Sequence, residues 1–223
     1  DPDEFIETVM RVSPSFGGIH LEDIRFPDCL KIEEELDQRL EKPVMHDDQH
    51  GTAVVALAAL INTCKNLGKD LHNAVVGQIG LGAAGGAIAE LAMNYGVKEM
   101  HVTDLNDWAV QRLVAKGAKA TSFQNLMRDV DIVVATTGKP GLIKAEMIRS
   151  GQVILALSNP VAEIDPEDAM AAGAAFASDG KTINNALAFP GIFKGALAAR
   201  SSRITPEMKI AAALTIAREA QGN

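Results

Sequence analysis

The chain has 223 residues, which at about 150 per domain is room for one large domain or one and a half ordinary ones. Hydrophobic residues make up 47% and charged residues 22%, the balance of a soluble globular chain, so disorder, collagen and coiled coil are excluded. A net charge of −8 disfavours broad contact with nucleic-acid phosphates, and the longest apolar run, residues 53–61, is far short of the roughly 20 residues of a membrane helix.

Residues 1–51 are rich in charge and proline and carry little sustained period, which predicts short helices joined by loops. Residues 4–11 suit one or two amphipathic turns, and 30–40 a longer helix with Ile32, Leu36 and Leu40 four apart. Residues 52–67 are apolar nearly all round, the pattern of a helix buried on several faces, with Gly68 as its stop. That helix is also the sequence feature that favours a homodimer.

From residue 74 the pattern alternates. Strands are predicted at 74–79, 99–103, 131–135 and 152–157, with a short one near 174–177; helices at 83–95 and 107–116 separate the first three. Short apolar strands between helices are buried on both faces, so the expected fold is α/β, a Rossmann-like doubly wound parallel sheet. Helices close the chain at 187–200 and after Thr205, the latter with Pro206 in its first turn and Ile210, Leu214 and Ala217 on one face. The domain division expected is a helical and loop segment at 1–51 and a dinucleotide-binding domain with C-terminal helices at 52–223.

Gly80-Leu81-Gly82-Ala83-Ala84-Gly85 is the strongest motif, because it follows a predicted strand and opens a predicted helix. The glycines allow a tight turn, a close approach to pyrophosphate and close helix-to-strand packing; the N–H groups at the helix start then face the phosphates. Asp104 ends the second strand 19 residues after Gly85, where a carboxylate accepts from ribose hydroxyls and repels a 2′-phosphate. NAD is therefore expected over NADP, although Lys98 or Arg112 could fold nearby.

Thr136-Thr137-Gly138 and Ser158-Asn159-Pro160 each follow a strand, at the strand ends where open α/β sheets bind ligands; ordinary turn chemistry accounts for them equally well. Asn184-Asn185 carries the same ambiguity. Glu22-Asp23 and Asp47-Asp48 have the oxygen donors that a hard ion such as Mg²⁺ or Mn²⁺ prefers, but adjacent acids are more often solvated loop charges. Cys29 and Cys64 form no CxxC, which fits a reducing, cytoplasmic setting without a zinc site or disulfide. The chain opens Asp1-Pro2-Asp3-Glu4 with no Met and no signal peptide, and is read as a piece of something longer.

Together these residues resemble the malic enzymes, in particular their bacterial short form. FGGIHLEDI at 16–24, VMHDDQHGTA at 44–53, the GLGAAG loop, LSNP at 157–160 and INNALAFPGIF at 183–193 stand in the family's order and cover essentially the whole chain. The resemblance implies oxidative decarboxylation of L-malate to pyruvate and CO₂, with NAD reduced. It implies metal ligands at Glu22, Asp23 and Asp48, and at Asp47 an acid supporting a catalytic lysine. Cofactor contacts are implied at Thr52, Gly80, Gly82, Ala83, Ala84, Gly85, Asp104, Thr136, Thr137, Gly138, Asn159 and Asn185, the two asparagines also holding substrate carboxylate.

The family's catalytic tyrosine and lysine have no counterpart in these 223 residues: the sole tyrosine, Tyr95, falls at the end of the helix after the glycine loop. No general acid or base is expected in this chain, which by itself should be inactive. The stretch 178–183 is shorter than the usual bacterial loop, and Leu81 stands where Ala is commoner. Two other readings remain open: a malolactic enzyme, which releases lactate, and a silent NAD-binding or dimerisation module.

Overall fold

A computed structural model describes residues 1–181 and 183–220. Its centre is a six-stranded parallel sheet of β3 (Val75–Ile79), β4 (Glu99–Thr103), β5 (Lys119–Ala120), β6 (Ile132–Ala135), β7 (Val153–Ala156) and β8 (Phe176–Asp179). The spatial order is β5-β4-β3-β6-β7-β8, so the chain runs outward from β3 in one direction and then restarts beside it in the other. Such a reversal opens a crevice at the carboxyl ends of the two central strands. β6 and β7 are buried at every position, as the unbroken apolar runs at 132–135 and 153–156 require.

The sheet's helices are α4 (Ala83–Tyr95), α5 (Asp107–Val114), α6 (Phe123–Asp129) and α7 (Pro166–Ala171). Local chemistry sets their starts: Asn106, Ser122 and Asp165 each accept a backbone N–H with the side chain, and Gly96 ends α4 in the left-handed conformation. α3 (Asp47–Asn66) lies against α4 and α9 (Pro206–Glu219), and its alanine, valine and leucine side chains are buried almost all round. Its apolar faces are thus met from within the chain. α8 (Phe189–Ala198) follows a 3-10 turn at Asn185–Leu187, and Thr205 caps α9 with Pro206 in the first turn.

The first 46 residues are more ordered than their pattern predicted. β1 (Ile19–Leu21) and β2 (Val44–His46) form a two-stranded parallel ribbon, covered by α1 (Pro2–Val12) and α2 (Asp28–Arg39). Ile6, Ile19, Leu21, Ile32, Leu36, Leu40 and Val44 make a small core of their own. Three-residue strands are too short to show a period, which is why helices and loops were expected there. α3 begins at Asp47, not Thr52, so the acidic pair sits in a first helical turn, where negative charge meets the positive end of the helix dipole. On α9 the buried stripe runs through Ala213 and Ala217, and Leu214, expected to face inward, is 44% exposed. β5, α6 and α7 are further elements that the pattern did not mark.

Candidate dinucleotide and carboxylate site

The glycine loop bridges the carboxyl end of β3 and the start of α4. Gly80 N donates to Thr103 O at 3.0 Å and Thr136 N donates to Ile79 O at 2.9 Å, so the loop is fastened to the strand on either side. Gly85 is required by close approach: a Cβ there would overlap Gly80 O and lie 2.8 Å from Gln78 Nε2. Gln78, buried on β3, donates to Thr136 Oγ1 at 3.0 Å and Gly80 O at 3.1 Å. Thr136 Oγ1 also donates to Gly80 O at 3.1 Å. Ala83 and Ala84 occupy the first turn of α4, whose N–H groups have no acceptor within the helix.

Asp104 is where an acid at the end of the second strand was expected. In the structure its carboxylate accepts from Leu81 N at 2.6 Å and Asn106 N at 2.7 Å, tying the glycine loop to the start of α5. Of the two nearby basic residues, one is engaged elsewhere and the other lies beside the loop. Lys98 donates to Asn73 Oδ1 at 2.7 Å, and Arg112 packs over Gly86.

At the ends of β6 and β7 the side chains turn inward. Thr137 Oγ1 donates to Glu163 Oε1 at 2.8 Å, and Asn159 Nδ2 donates to Gly180 O at 3.4 Å. Glu163 is fully buried, and nothing in its sequence setting distinguishes it from a solvated loop acid. Gln78 escaped notice for a similar reason, as one polar residue inside an apolar strand.

The second cluster is built on α3. Glu33 of α2 accepts from His46 N at 2.7 Å and Gln49 Nε2 at 2.9 Å, which fixes the turn from β2 into the helix. Burial and a lack of solvent would raise its carboxyl pKa, yet His50 Nε2 at 3.0 Å and the His46 N–H hold it below the ordinary glutamate range. The turn aims Asp47 inward and Asp48 toward β1. Asp48 Oδ2 accepts from Asp23 N at 2.9 Å, so the two acidic pairs, 25 positions apart in sequence, meet. Asp23 holds a left-handed backbone with φ of 56°. His46 Nε2 lies 3.3 Å from Asp48 Oδ2 but off the line of a hydrogen bond.

Asp47 is fully buried. Burial raises its carboxyl pKa; His20 opposes this, while the Glu22 and Asp48 carboxylates add to it. His20 Nε2 is 3.7 Å from Asp47 Oδ2, its ring held between Phe189 and Phe193 of α8. Asn185 Nδ2 donates to the same Oδ2 at 2.6 Å, and Asp47 Oδ1 has no hydrogen-bond partner. Gly51 leaves room for this carboxylate, since a Cβ one turn along would collide with it. Thr52 stands next to Gly51 on α3, half-buried. Tyr95 is at the far end of α4, stacked on His72 with ring centroids 4.8 Å apart.

A sequence profile described as "Malic enzyme, NAD binding domain" matches residues 99–223. This chain belongs to that family. The NAD-dependent malic enzyme 1 of Bacillus subtilis is 57% identical to it over 218 residues, 97% of this chain and 50% of that protein. The bifunctional malic/malolactic enzyme of the same organism is 42% identical, over 97% of this chain and 58% of that protein. Among solved structures, the NAD-dependent malic enzyme of Thermotoga maritima superposes with a TM-score of 0.89 at 35% identity, covering 98% of this chain and 63% of that one. The chain thus spans about half the length of the curated relatives it matches. As a malic enzyme NAD-binding domain it has the Rossmann-like sheet expected from the sequence, and no helix among the described residues is long and apolar enough to cross a membrane.

Proposed function

We propose that this chain is the dinucleotide- and metal-binding part of an NAD-dependent malic enzyme of the bacterial short form, acting on L-malate to give pyruvate and CO₂. The observation that carries the reading is the Asn185–Asp47 hydrogen bond. It joins the carboxylates at the start of α3 to the segment after the last strand of the dinucleotide sheet, so both halves of the chemistry share one frame. Residues 1–51 form the segment with the metal ligands and 52–223 the dinucleotide-binding domain; the separate core from Ile6 to Val44 supports two parts, and α3, which runs across 51/52, joins them.

The donor set suits a hard divalent ion. Glu22, Asp23 and Asp48 offer only carboxylate oxygens, and the Asp23 N–H already draws Asp48 toward the first pair. Among the described residues no group of three or more acids, histidines or cysteines is closed around one point, so the three carboxylates would converge as Mg²⁺ or Mn²⁺ arrives. When bound, the ion supplies a Lewis acid and the dinucleotide a hydride acceptor.

The chain's own residues bind and orient. The α4 N-terminus, with Gly80, Gly82, Ala83, Ala84 and Gly85, holds the pyrophosphate, and Asp104 accepts from the ribose hydroxyls. Lys98 is engaged by Asn73, and the Asp104 carboxylate at the end of β4 repels a 2′-phosphate, which supports NAD over NADP, with Arg112 beside Gly86 as the basic group near the loop. Thr52 and the turn at Thr136, Thr137 and Gly138 contact the cofactor, the turn through its backbone carbonyls because its hydroxyl and N–H groups are engaged. Asn159 and Asn185 hold the substrate carboxylate, and Asp47 supports a lysine base. The one tyrosine is stacked on His72 away from the carboxylates, and no general acid or base is assigned to this chain.

A homodimer in the cytoplasm completes the reading. Exposed Phe16 and exposed Leu197 of α8, the latter against Gly17, support the dimer, and the two free cysteines fit a reducing compartment. The deciding experiment is turnover of malate by the full-length protein with NAD and Mn²⁺, against Asp48→Ala. Wild-type NADH production that falls at least a hundredfold in the variant supports the reading, whereas equal rates reject the metal site. Lactate without net NADH would favour the malolactic alternative, which the likeness to a bifunctional relative keeps in view.

A further inference from the structure

Glu163 follows β7 by seven residues and is 0% exposed. Its partners are hydroxyl and backbone donors from two separate turns. From the turn after β6, Thr137 donates to Oε1 with both its N–H, at 2.6 Å, and its hydroxyl, at 2.8 Å. From the turn after β7, Ser158 Oγ donates to the same oxygen at 2.5 Å and Ser158 N to Oε2 at 3.4 Å. The hydroxyls pass the hold further: Gly138 N donates to Ser158 Oγ at 2.8 Å and Lys139 N to Thr137 Oγ1 at 3.2 Å. No ion pair to Glu163 is found among the described residues.

A buried carboxylate held by neutral dipoles is costly to keep and is an unusual way to join two turns that already share a β6–β7 ladder. These two turns lie at the carboxyl ends of the strands on one side of the reversal in strand order, while Asp104 and β4 lie on the other. A dinucleotide across that crevice places its adenosine over β4 and its other half over β6 and β7. We propose that Glu163 is a positioning residue for the nicotinamide half of the cofactor, setting the separation of the 136–138 and 158–160 turns so that their backbone edges fit it. The proposal rests on the dinucleotide reading above.

The test compares two ligands on the full-length protein by titration calorimetry: NADH, and ADP, which carries adenosine and pyrophosphate but no nicotinamide half. Glu163→Gln keeps the size and loses the charge that all the donors face. It should weaken NADH about tenfold, as expected for a charge-assisted contact, and leave ADP within about twofold. A residue with only a structural role would weaken both ligands alike, and that result overturns the proposal. Unchanged NADH affinity overturns it as well.

Should Glu163→Gln lose its cooperative melt, Ser158→Ala decides the matter. It removes one donor and leaves the carboxylate in place, so a selective loss of NADH affinity, about threefold, supports the proposal and equal affinities overturn it. Wild-type protein that binds neither ligand would instead overturn the dinucleotide reading, and the proposal with it.

Discussion

Asn185 donates its side-chain amide to Asp47 Oδ2 at 2.6 Å, spanning 138 positions of sequence. The acceptor is a fully buried carboxylate whose other oxygen has no partner. One asparagine thus satisfies half of an acid that burial already strains toward its neutral form.

Replacing Asn185 should therefore be felt twice. Asn185→Ala strips a buried carboxylate of its donor, at a cost of about 1–3 kcal/mol. It also removes a proposed contact to substrate, so malate turnover by the full-length protein should fall at least about tenfold. Urea melts and initial rates on the same preparation separate the two effects. Full activity with wild-type stability would place Asn185 outside the site.

The glycine loop gives a contrast between two neighbours. Gly85→Ala forces a Cβ into Gly80 O and the Gln78 amide, an overpacking that should cost about 1–3 kcal/mol and most of the NADH affinity. Gly82 faces open space, and its φ of −64° suits any residue. Gly82→Ala should leave the melt within about 0.5 kcal/mol of wild type and weaken only cofactor binding, by crowding the pyrophosphate. Thermal melts with and without NADH distinguish the variants; equal destabilisation would mean that the two glycines do not have the separate jobs assigned here.

The sequence showed the sheet well because β3, β6 and β7 are short apolar runs and the helices on either side of β4 have clear ends, Gly96 closing α4 and Asn106 opening α5, so local pattern and burial agree. It showed the first segment poorly. β1 and β2 are three residues each and exist only as a pair brought together across 25 positions. For the site, the residue types and their order were legible, but not their partners. Asp47 read as one of two loop charges, and only the fold turns it inward while Asp48 faces the Asp23 N–H. Glu163 had no local signal, because its burial comes from two turns that converge after the sheet is assembled.

Asp104 does more than the sequence implied, which alters the expected outcome of changing it. A swap to Arg was a natural route to NADP specificity. In the structure the carboxylate also accepts from Leu81 N and Asn106 N, so the swap leaves both donors without it and loosens the glycine loop. Asp104→Arg should lose NAD affinity by at least about tenfold, and its NADP affinity should stay below the wild-type affinity for NAD. Calorimetry with both cofactors measures this. NADP binding as tight as wild-type NAD binding would show that the loop does not depend on Asp104.

Lys209 of α9 lines a groove of about 930 Å³ together with Glu33, His50, Glu90, Arg112 and Lys116. Burial holds its pKa below the ordinary lysine value, with Glu33, Glu90 and Asp37 only partly offsetting that, and Lys116 adding to it. The folded protein accordingly releases this proton at lower pH than the unfolded chain does. Between those two ranges the unfolded chain binds more protons, so stability rises with pH there and the penalty is largest when Lys209 is charged in both states. Lys209→Met removes the charge and keeps the length of the side chain. It should raise the melting temperature of the full-length protein at pH 7 by about 2 °C, the size of a typical single stabilising change. The gain should shrink as pH approaches the ordinary lysine range, where the wild-type amine is already neutral in the folded protein. Melts of both proteins at three pH values between 6 and about 9.5 would show the trend. A variant less stable than wild type at every pH would mean that the attraction of Glu33, Glu90 and Asp37 outweighs the cost of burial.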